Sequence, residues 1–388
     1  MTELPDTSVA AIDPLQPLKQ FTMAHPKLQA MHEEVRQAIR EPGGASLLFL
    51  LGPTGVGKTT LVARLMQQLT LEQMPELSTA RERLAVAGLE AEAPPHGNYD
   101  FKQHFKRSLL ALQEILIEYR LDMSGQVLAA RECGSVIINA KTNVAALRSA
   151  LEDALKRRRP AAFFIDEAHH LGKVAGGRKL QDHLDVIKSL ANLTDTLHVL
   201  VGTYELQNLL HLSDQLSRRS RTFHFARYRA GVAADVQAFD NILWNFQQRL
   251  PFAKSPELRT HSAYLMERSL GCVGVLKGWL VRAAARALQQ DTPTLTLAQL
   301  RQTEPTDGEW RSMAATLLAG EEAWRESEAE LEKLRWRLRQ EPSSVPATPA
   351  ASTSPSAQTA TAPRGQRRPG ERRPQRDRIR QGAEGDLP

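Results

Sequence analysis

The stretch that decides the fold is Ser46–Leu51 (SLLFLL) running straight into Gly52-Pro53-Thr54-Gly55-Val56-Gly57-Lys58-Thr59. The first part is short and wholly apolar, as a strand buried on both faces must be. The second part fits G-x-x-x-x-G-K-[ST], a phosphate-cradling loop between a strand and a helix. Residues Thr59–Leu71 then read as that helix. The pattern has a mechanical reason. Glycines let the backbone approach a phosphate chain, and successive N–H groups and the helix N-terminus point at it. Lys58 is expected to neutralise the β and γ oxygens, and the Thr59 hydroxyl to hold Mg2+. Gly52, Pro53, Thr54, Gly55, Val56, Gly57 and Thr60 complete the expected cradle for ATP.

Outward from this loop, Ala161–Ile165 is a second apolar run and ends in Asp166-Glu167. A strand delivering an aspartate beside such a loop supplies a Mg2+ partner, and the next glutamate can polarise an attacking water. The other reading is an acidic pair that only begins a loop or caps a helix. A third apolar run, Leu197–Val201, ends in Gly202-Thr203, and Thr222–Phe225 is a fourth. Thr203 is a candidate contact for the γ-phosphate or the attacking water, or an ordinary strand-end threonine. Leu84–Leu89 is a weaker strand, and Val136–Ile138 a possible short one. The intervening segments Phe101–Arg120 and Val144–Arg159 have helical period, and Asn143 is placed to cap the second. Apolar strands alternating with helices predict an α/β fold with a parallel sheet covered by helices. The long interval from Thr59 to Asp166 needs at least one additional strand, as in the additive-strand class of P-loop ATPases.

The rest of the chain is read as five parts. Residues 1–20 carry Pro5, Pro14 and Pro17 without periodicity and are expected to be a flexible arm. Pro26–Arg40 opens the core, residues 21–230, with an amphipathic helix. From Asp235 strands give way to helices at Leu258–Leu270 and Leu276–Leu288, a small helical lid over 231–308. A charged helix is expected over 309–340, where Trp310, Leu317, Trp324, Leu331 and Leu338 recur every seven residues. One apolar position per heptad makes a poor autonomous coiled coil, so packing along the lid or a partner is expected. Residues 341–388 hold eight of the 22 prolines and no aromatic residue. They are expected to be a disordered tail that binds DNA nonspecifically, serves as a tether, or is inert.

Composition narrows the function classes. The 388 residues are 41% hydrophobic and 24% charged, with two distant cysteines, Cys133 and Cys272. That excludes a disulfide scaffold and a cysteine zinc site, and fits a reducing cytosol. No window suits a membrane span and the N-terminus has no secretory pattern. Adjacent His169 and His170 diverge on a helix and suggest no zinc. Half of the net charge of +6 lies in the last 48 residues, leaving only a weak hint of a polyanionic partner. Two basic clusters are more pointed. Arg218, Arg219 and Arg221 precede the last strand, where an arginine can reach a neighbouring subunit's nucleotide; a solvated basic face is the alternative. Lys102, Lys106 and Arg107 follow the Pro94-Pro95 turn and are DNA-backbone candidates, or again a solvated face.

Taken together, these motifs resemble an AAA+ ATPase. Within it, LDVIKSLANLTDTLHVLVGTYEL, QLSRRSR, AFDNILWNFQQRLPF, GLEAEAPPHG, IDEAHHL and GCVGVLKGWL resemble the TnsC/TniB family of bacterial transposition regulators over roughly residues 20–300. The resemblance implies an ATPase that assembles on double-stranded DNA as a ring or helical filament and marks a target for a transposase. It also implies a target-selector partner of the TniQ/TnsD kind and a bacterial cytoplasmic location. Carried onto this chain, Lys58, Thr59, Asp166 and Glu167 would be the ATPase core, with Thr203 as first sensor. Arg218 or Arg219 would be the finger and Lys277, a lysine where such ATPases usually have arginine, the lid sensor. His25-Pro26 falls near where the family places adenine, and the Lys102–Arg107 segment where it faces DNA. Two other functions are compatible with the residues: a helicase-loader or secretion-type AAA+ ATPase, and a DNA-binding scaffold with structural ATP.

Overall fold

Strand β1 (Leu47–Leu51) is buried at every position because its two faces feed two different cores. Successive side chains of a strand point to opposite sides. Leu47, Phe49 and Leu51 enter one cluster, and Leu48 and Leu50 enter another. In the computed structural model, which describes residues 13–94, 99–113, 143–172, 177–207 and 219–339, the same division runs through β2 (Val86–Glu90), β3 (Ala162–Asp166) and β4 (His198–Gly202), while β5 (Ser220–His224) contributes Phe223 to the second cluster alone. These form one five-stranded sheet in the order β2-β3-β4-β1-β5, and every pair is parallel. The extra strand required between Thr59 and Asp166 in sequence is β2. In space it is β4 that separates β1 from β3. Val136–Ile138 lies outside the described residues.

Helices cover both faces. On one, α2 (Pro26–Arg40) contributes Leu28, Val35 and Ile39, and α3 (Lys58–Leu77) contributes Leu61, Leu65 and Leu69. On the other, α4 (Phe101–Ala111), α5 (Val144–Arg158) and α6 (Gly177–Thr194) bring Phe105, Leu151 and Ile187 against Phe163 and Leu200. Each such side chain withdrawn from water contributes about 1.5–3 kcal/mol. α4 ends at Ala111, with Gln113 at φ 53° just past it, and residues 114–120 of the expected helix lie outside the described residues.

A third core is wholly helical. It joins α7 (Ala233–Gln247), α8 (Ser262–Arg268), α9 (Val273–Gln289) and α10 (Leu297–Gln302) through Phe239, Phe246, Leu265, Trp279 and Leu300. The expectation of a featureless arm to residue 20 fails over its last residues. Gln16–Gln20 is a helix, α1, and Leu15 and Leu18 are buried in this third core. Asp13 accepts from Leu15 N and pairs with Lys19, which starts the turn that the sequence period was too short to reveal.

The last helix, α11 (Asp307–Arg339), begins two residues ahead of the expected start at 309. Thr306 and Glu309 exchange hydrogen bonds as a capping box, which starts the helix directly after Pro305-Thr306. The chain divides into two units, Met1–Lys333 and Leu334–Pro388. The tail, 341–388, lies outside the described residues. Among the described residues no helix is long and apolar enough to cross a membrane.

Candidate nucleotide-binding site

The register of the sheet brings three loops together. Leu51 is level with Gly202 and Leu50 with Val201, while Ile165 is level with Leu200. Gly52, Asp166 and Thr203 therefore leave the same edge of neighbouring strands. The loop after β1 turns through Gly55 at φ 77° and Gly57 at φ 114°, conformations that side-chain-bearing residues rarely adopt. A Cβ on Gly52 would stand 2.6 Å from Phe225 O, so glycine is required there by space instead.

Lys58 opens α3 yet is only 6% exposed. Its Nζ donates to Gly52 O and Pro53 O, each at 3.0 Å. Burial lowers its pKa, opposed by the nearby Glu167 and Asp166. Thr59 Oγ1 donates to Asp166 Oδ2 at 2.8 Å, across 107 residues of sequence. The other Asp166 oxygen accepts from Glu167 N at 2.8 Å. Glu167 sits at φ 50°, a conformation costing of order 1 kcal/mol for a non-glycine residue. Its Oε2 is 3.1 Å from His169 Nδ1, and burial raises its pKa against the pull of Lys58. Thr203 Oγ1 is buried without a hydrogen-bond partner among the described residues.

The helical core meets the loop directly. Gly274 N, in the first turn of α9, donates to Gly55 O at 2.7 Å. A Cβ on Gly274 would stand 2.7 Å from that same oxygen, so the approach depends on glycine. One turn along, Lys277 donates to Lys19 O at 2.7 Å, and burial lowers its pKa. Lys277, Gly57, Thr60, His25 and Phe246 line one small pocket beside the loop. His25 caps α2 and lies 2.8 Å from Tyr228 OH; burial lowers its pKa to about 4, so the ring is neutral. The Tyr228 contact joins positions 203 residues apart and has no local sequence signal.

The basic candidates lie elsewhere. Arg219 stands at the opposite end of the sheet, where its carbonyl accepts from Ser46 N and Leu47 N. Five strand residues separate this level from the phosphate loop, about 17 Å. Its Nη1 reaches Asn192 Oδ1 at 3.4 Å, and Arg221 lies over the Phe223 ring. Arg218 is outside the described residues. On α4, Asp100 caps the helix, and His104 and Phe105 face the core. Lys102 and Lys106 are one turn apart, and partial burial leads the causes lowering the Lys106 pKa. Arg107 turns aside to an ion pair with Glu92 at 2.7 Å.

Residues 39–210 match a family described as an AAA domain. No curated protein matches the chain significantly. Among solved structures, the Aeropyrum pernix ORC1 protein in complex with DNA aligns over 75% of this chain and 68% of its own, at 16% identity and a TM-score of 0.50. The Aeropyrum pernix ORC2 protein in its ADP form gives 74% and 71%, with 15% identity and a TM-score of 0.49. Drosophila ORC bound to DNA gives 78% and 68%, with 14% identity and 0.43. Residues 39–210 are therefore similar to the AAA domain family, and the sheet order, loop and surrounding helices are those of the AAA+ P-loop fold.

Proposed function

We propose that this protein is an ATPase that regulates DNA transposition, assembling with ATP on double-stranded target DNA and bringing a transposase to it. The observation that carries the ATPase part is the junction of Thr59, Asp166 and Glu167 at the mouth of the glycine loop. The loop's N–H groups and the α3 N-terminus would hold the β-phosphate, and Lys58 would leave its two carbonyls to meet the phosphate oxygens. Thr59 Oγ1 and Asp166 Oδ2, 2.8 Å apart, are hard oxygen donors of the kind Mg2+ prefers. When bound, Mg2+ would offset charge on the phosphate oxygens. Glu167 would orient and deprotonate the attacking water; its raised pKa makes it a stronger base than an exposed carboxylate. The unpartnered Thr203 hydroxyl would contact that water or the γ-phosphate, and Lys277 would sense the same phosphate from α9.

The transposition part rests on the sequence resemblance to the TnsC/TniB family. In that reading Arg218, or Arg219, which is remote from its own loop, acts on a neighbouring subunit's nucleotide. A ring or filament is then needed for activity. Lys102 and Lys106 contact the duplex backbone, with Arg107 contributing after release from Glu92. The transposase and a target selector of the TniQ/TnsD kind bind the assembly, and hydrolysis resets it.

Solution mass by light scattering tests this directly, with a slowly hydrolysed ATP analogue and a short duplex. The expected result is a defined multimer only when both are present. A persistent monomer, or a multimer formed equally well on single strands, would overturn the regulator reading in favour of a loader or scaffold.

A further inference from the structure

The C-terminal helix meets the core through a cluster that the nucleotide chemistry does not use. Glu321 on α11 is 1% exposed, an extreme burial for a carboxylate. It is held by Arg227, whose Nε and Nη2 reach its two oxygens at 3.0 and 3.3 Å, with Arg229 at 3.6 Å and Arg325 at 3.8 Å. The preceding residue, Gly320, lies against the Tyr204 ring so closely that a Cβ would be 2.2 Å from it. One turn later, Trp324 stacks on His224 with ring centroids 4.8 Å apart, and His224 Nε2 lies 2.9 Å from Tyr204 OH. Gln207 Nε2 donates to Ala323 O at 3.2 Å.

Two partners of this clasp, Tyr204 and Arg227, are next in the chain to residues of the nucleotide site or its pocket. Tyr204 follows Thr203 in the chain, and the turn is closed by Leu206 N donating to Thr203 O at 3.0 Å. The Tyr204 ring is therefore anchored one residue from the unpartnered Thr203 hydroxyl. Arg227 precedes Tyr228, which holds His25 in the pocket beside Gly57, and the Arg227 carbonyl accepts from Lys27 at 2.6 Å. One stretch of α11 thus grips both the strand end at Thr203 and the segment joining β5 to the helical core. Close-packed contacts of this kind shift between discrete arrangements rather than deforming smoothly.

We propose that Gly320, Glu321 and Trp324 position Thr203 and the Arg227–Tyr228 segment, so that α11 and the nucleotide site bias one another. Glu321 and Tyr204 are positioning residues: they touch no substrate and act through Thr203 and Tyr228. Displacing Thr203 acts on the chemical step more than on binding, so a partner that pulls α11 from the clasp slows turnover. This inference rests on the reading of the loop as a nucleotide site.

The test uses the full chain, a fluorescent ATP analogue for binding, phosphate release for turnover, and Trp324 emission isolated as the difference between the native protein and Trp324→Phe. In the native protein the analogue is expected to shift that emission. Glu321→Gln is expected to bind the analogue within threefold of the native protein, lose the shift, and turn over at least fivefold more slowly. Glu321→Asp, which keeps the charge, is expected to recover part of both. A melting temperature lowered in Glu321→Gln with turnover and shift unchanged would overturn the inference, since the clasp would then be structural only. So would binding of the analogue without any shift in the native protein. Absence of analogue binding by the native protein would sink the nucleotide reading itself and this inference with it. A shift without phosphate release would sink hydrolysis alone, leaving the coupling to be judged on emission. Should Glu321→Gln fail to fold, Gly320→Ala, which strikes the Tyr204 ring, is judged by the same three readouts and the same outcomes.

Discussion

Asp166 and Glu321 are both buried carboxylates, but their surroundings differ in kind. Glu321 has Arg227 at bonding distance, with Arg229 and Arg325 within 3.8 Å, an excess of positive charge that fixes it in place. Asp166 has one hydroxyl and one backbone N–H, and among the described residues no cation bonds it directly. Beside it Glu167 is strained and half-buried, Lys58 is turned onto carbonyls, and Thr203 Oγ1 has no partner among the described residues. A cluster that holds a helix saturates its charges. A cluster that is to bind a polyanion leaves cationic and hydroxyl capacity unsatisfied, because those groups are needed when the ligand arrives.

Substitutions can break this contrast. Glu167→Gln is expected to lower turnover about 1,000-fold, within the range for loss of a general base, while the binding of a fluorescent ATP analogue changes little. Equal loss of binding and turnover would remove the base role. Glu321→Ala leaves Arg227 without its counter-ion and is expected to cost about 3 kcal/mol of stability, measured by urea unfolding. An unchanged midpoint would mean that the clasp is weaker than its geometry. Lys58→Ala is expected to weaken analogue binding about 100-fold, or about 2.7 kcal/mol, with stability retained, since its ammonium donates to two carbonyls and makes no ion pair among the described residues.

Acid sharpens the contrast from another side. Burial holds His25 and His198 at about 4 and His104 at about 3. Their folded pKa values lie below the unfolded one, so the unfolded chain binds more protons as pH falls through 6.5. Stability contributed by these groups is constant above that pH and is lost progressively from 6.5 toward 4, by about 2 kcal/mol together at pH 6. Melting curves at pH 7.5 and 6 check the sign; higher stability at pH 6 would contradict it. The smallest effect is expected at the exposed end of α11, where Trp336, 62% exposed, should tolerate Trp336→Ser within about 0.5 kcal/mol.

Much of the core could be read directly. The apolar runs at Ser46–Leu51, Ala161–Ile165 and Leu197–Val201 are strands within a residue of the expected limits, because a strand buried on both faces leaves no polar position to blur its ends. The seven-residue spacing in α11 also marked real contacts at Leu317 and Trp324, but Leu331 is 47% exposed. Periodicity shows which residues share a face, not how far along the helix a surface continues. Spacing groups Arg107 with Lys102 and Lys106, whereas in the fold Glu92 draws it away.

The sequence by itself determined the phosphate loop, the acidic strand end and the alternation of strands with helices, since each is written in residues adjacent in the chain. Only the tertiary structure decided which strands are neighbours, that α1 packs into the helical core, that Gly274 touches Gly55, and that Glu321 lies among arginines. Those contacts join residues tens to hundreds of positions apart. They arise where strand register and helix packing bring the surfaces together, and no local pattern of residue types encodes that meeting.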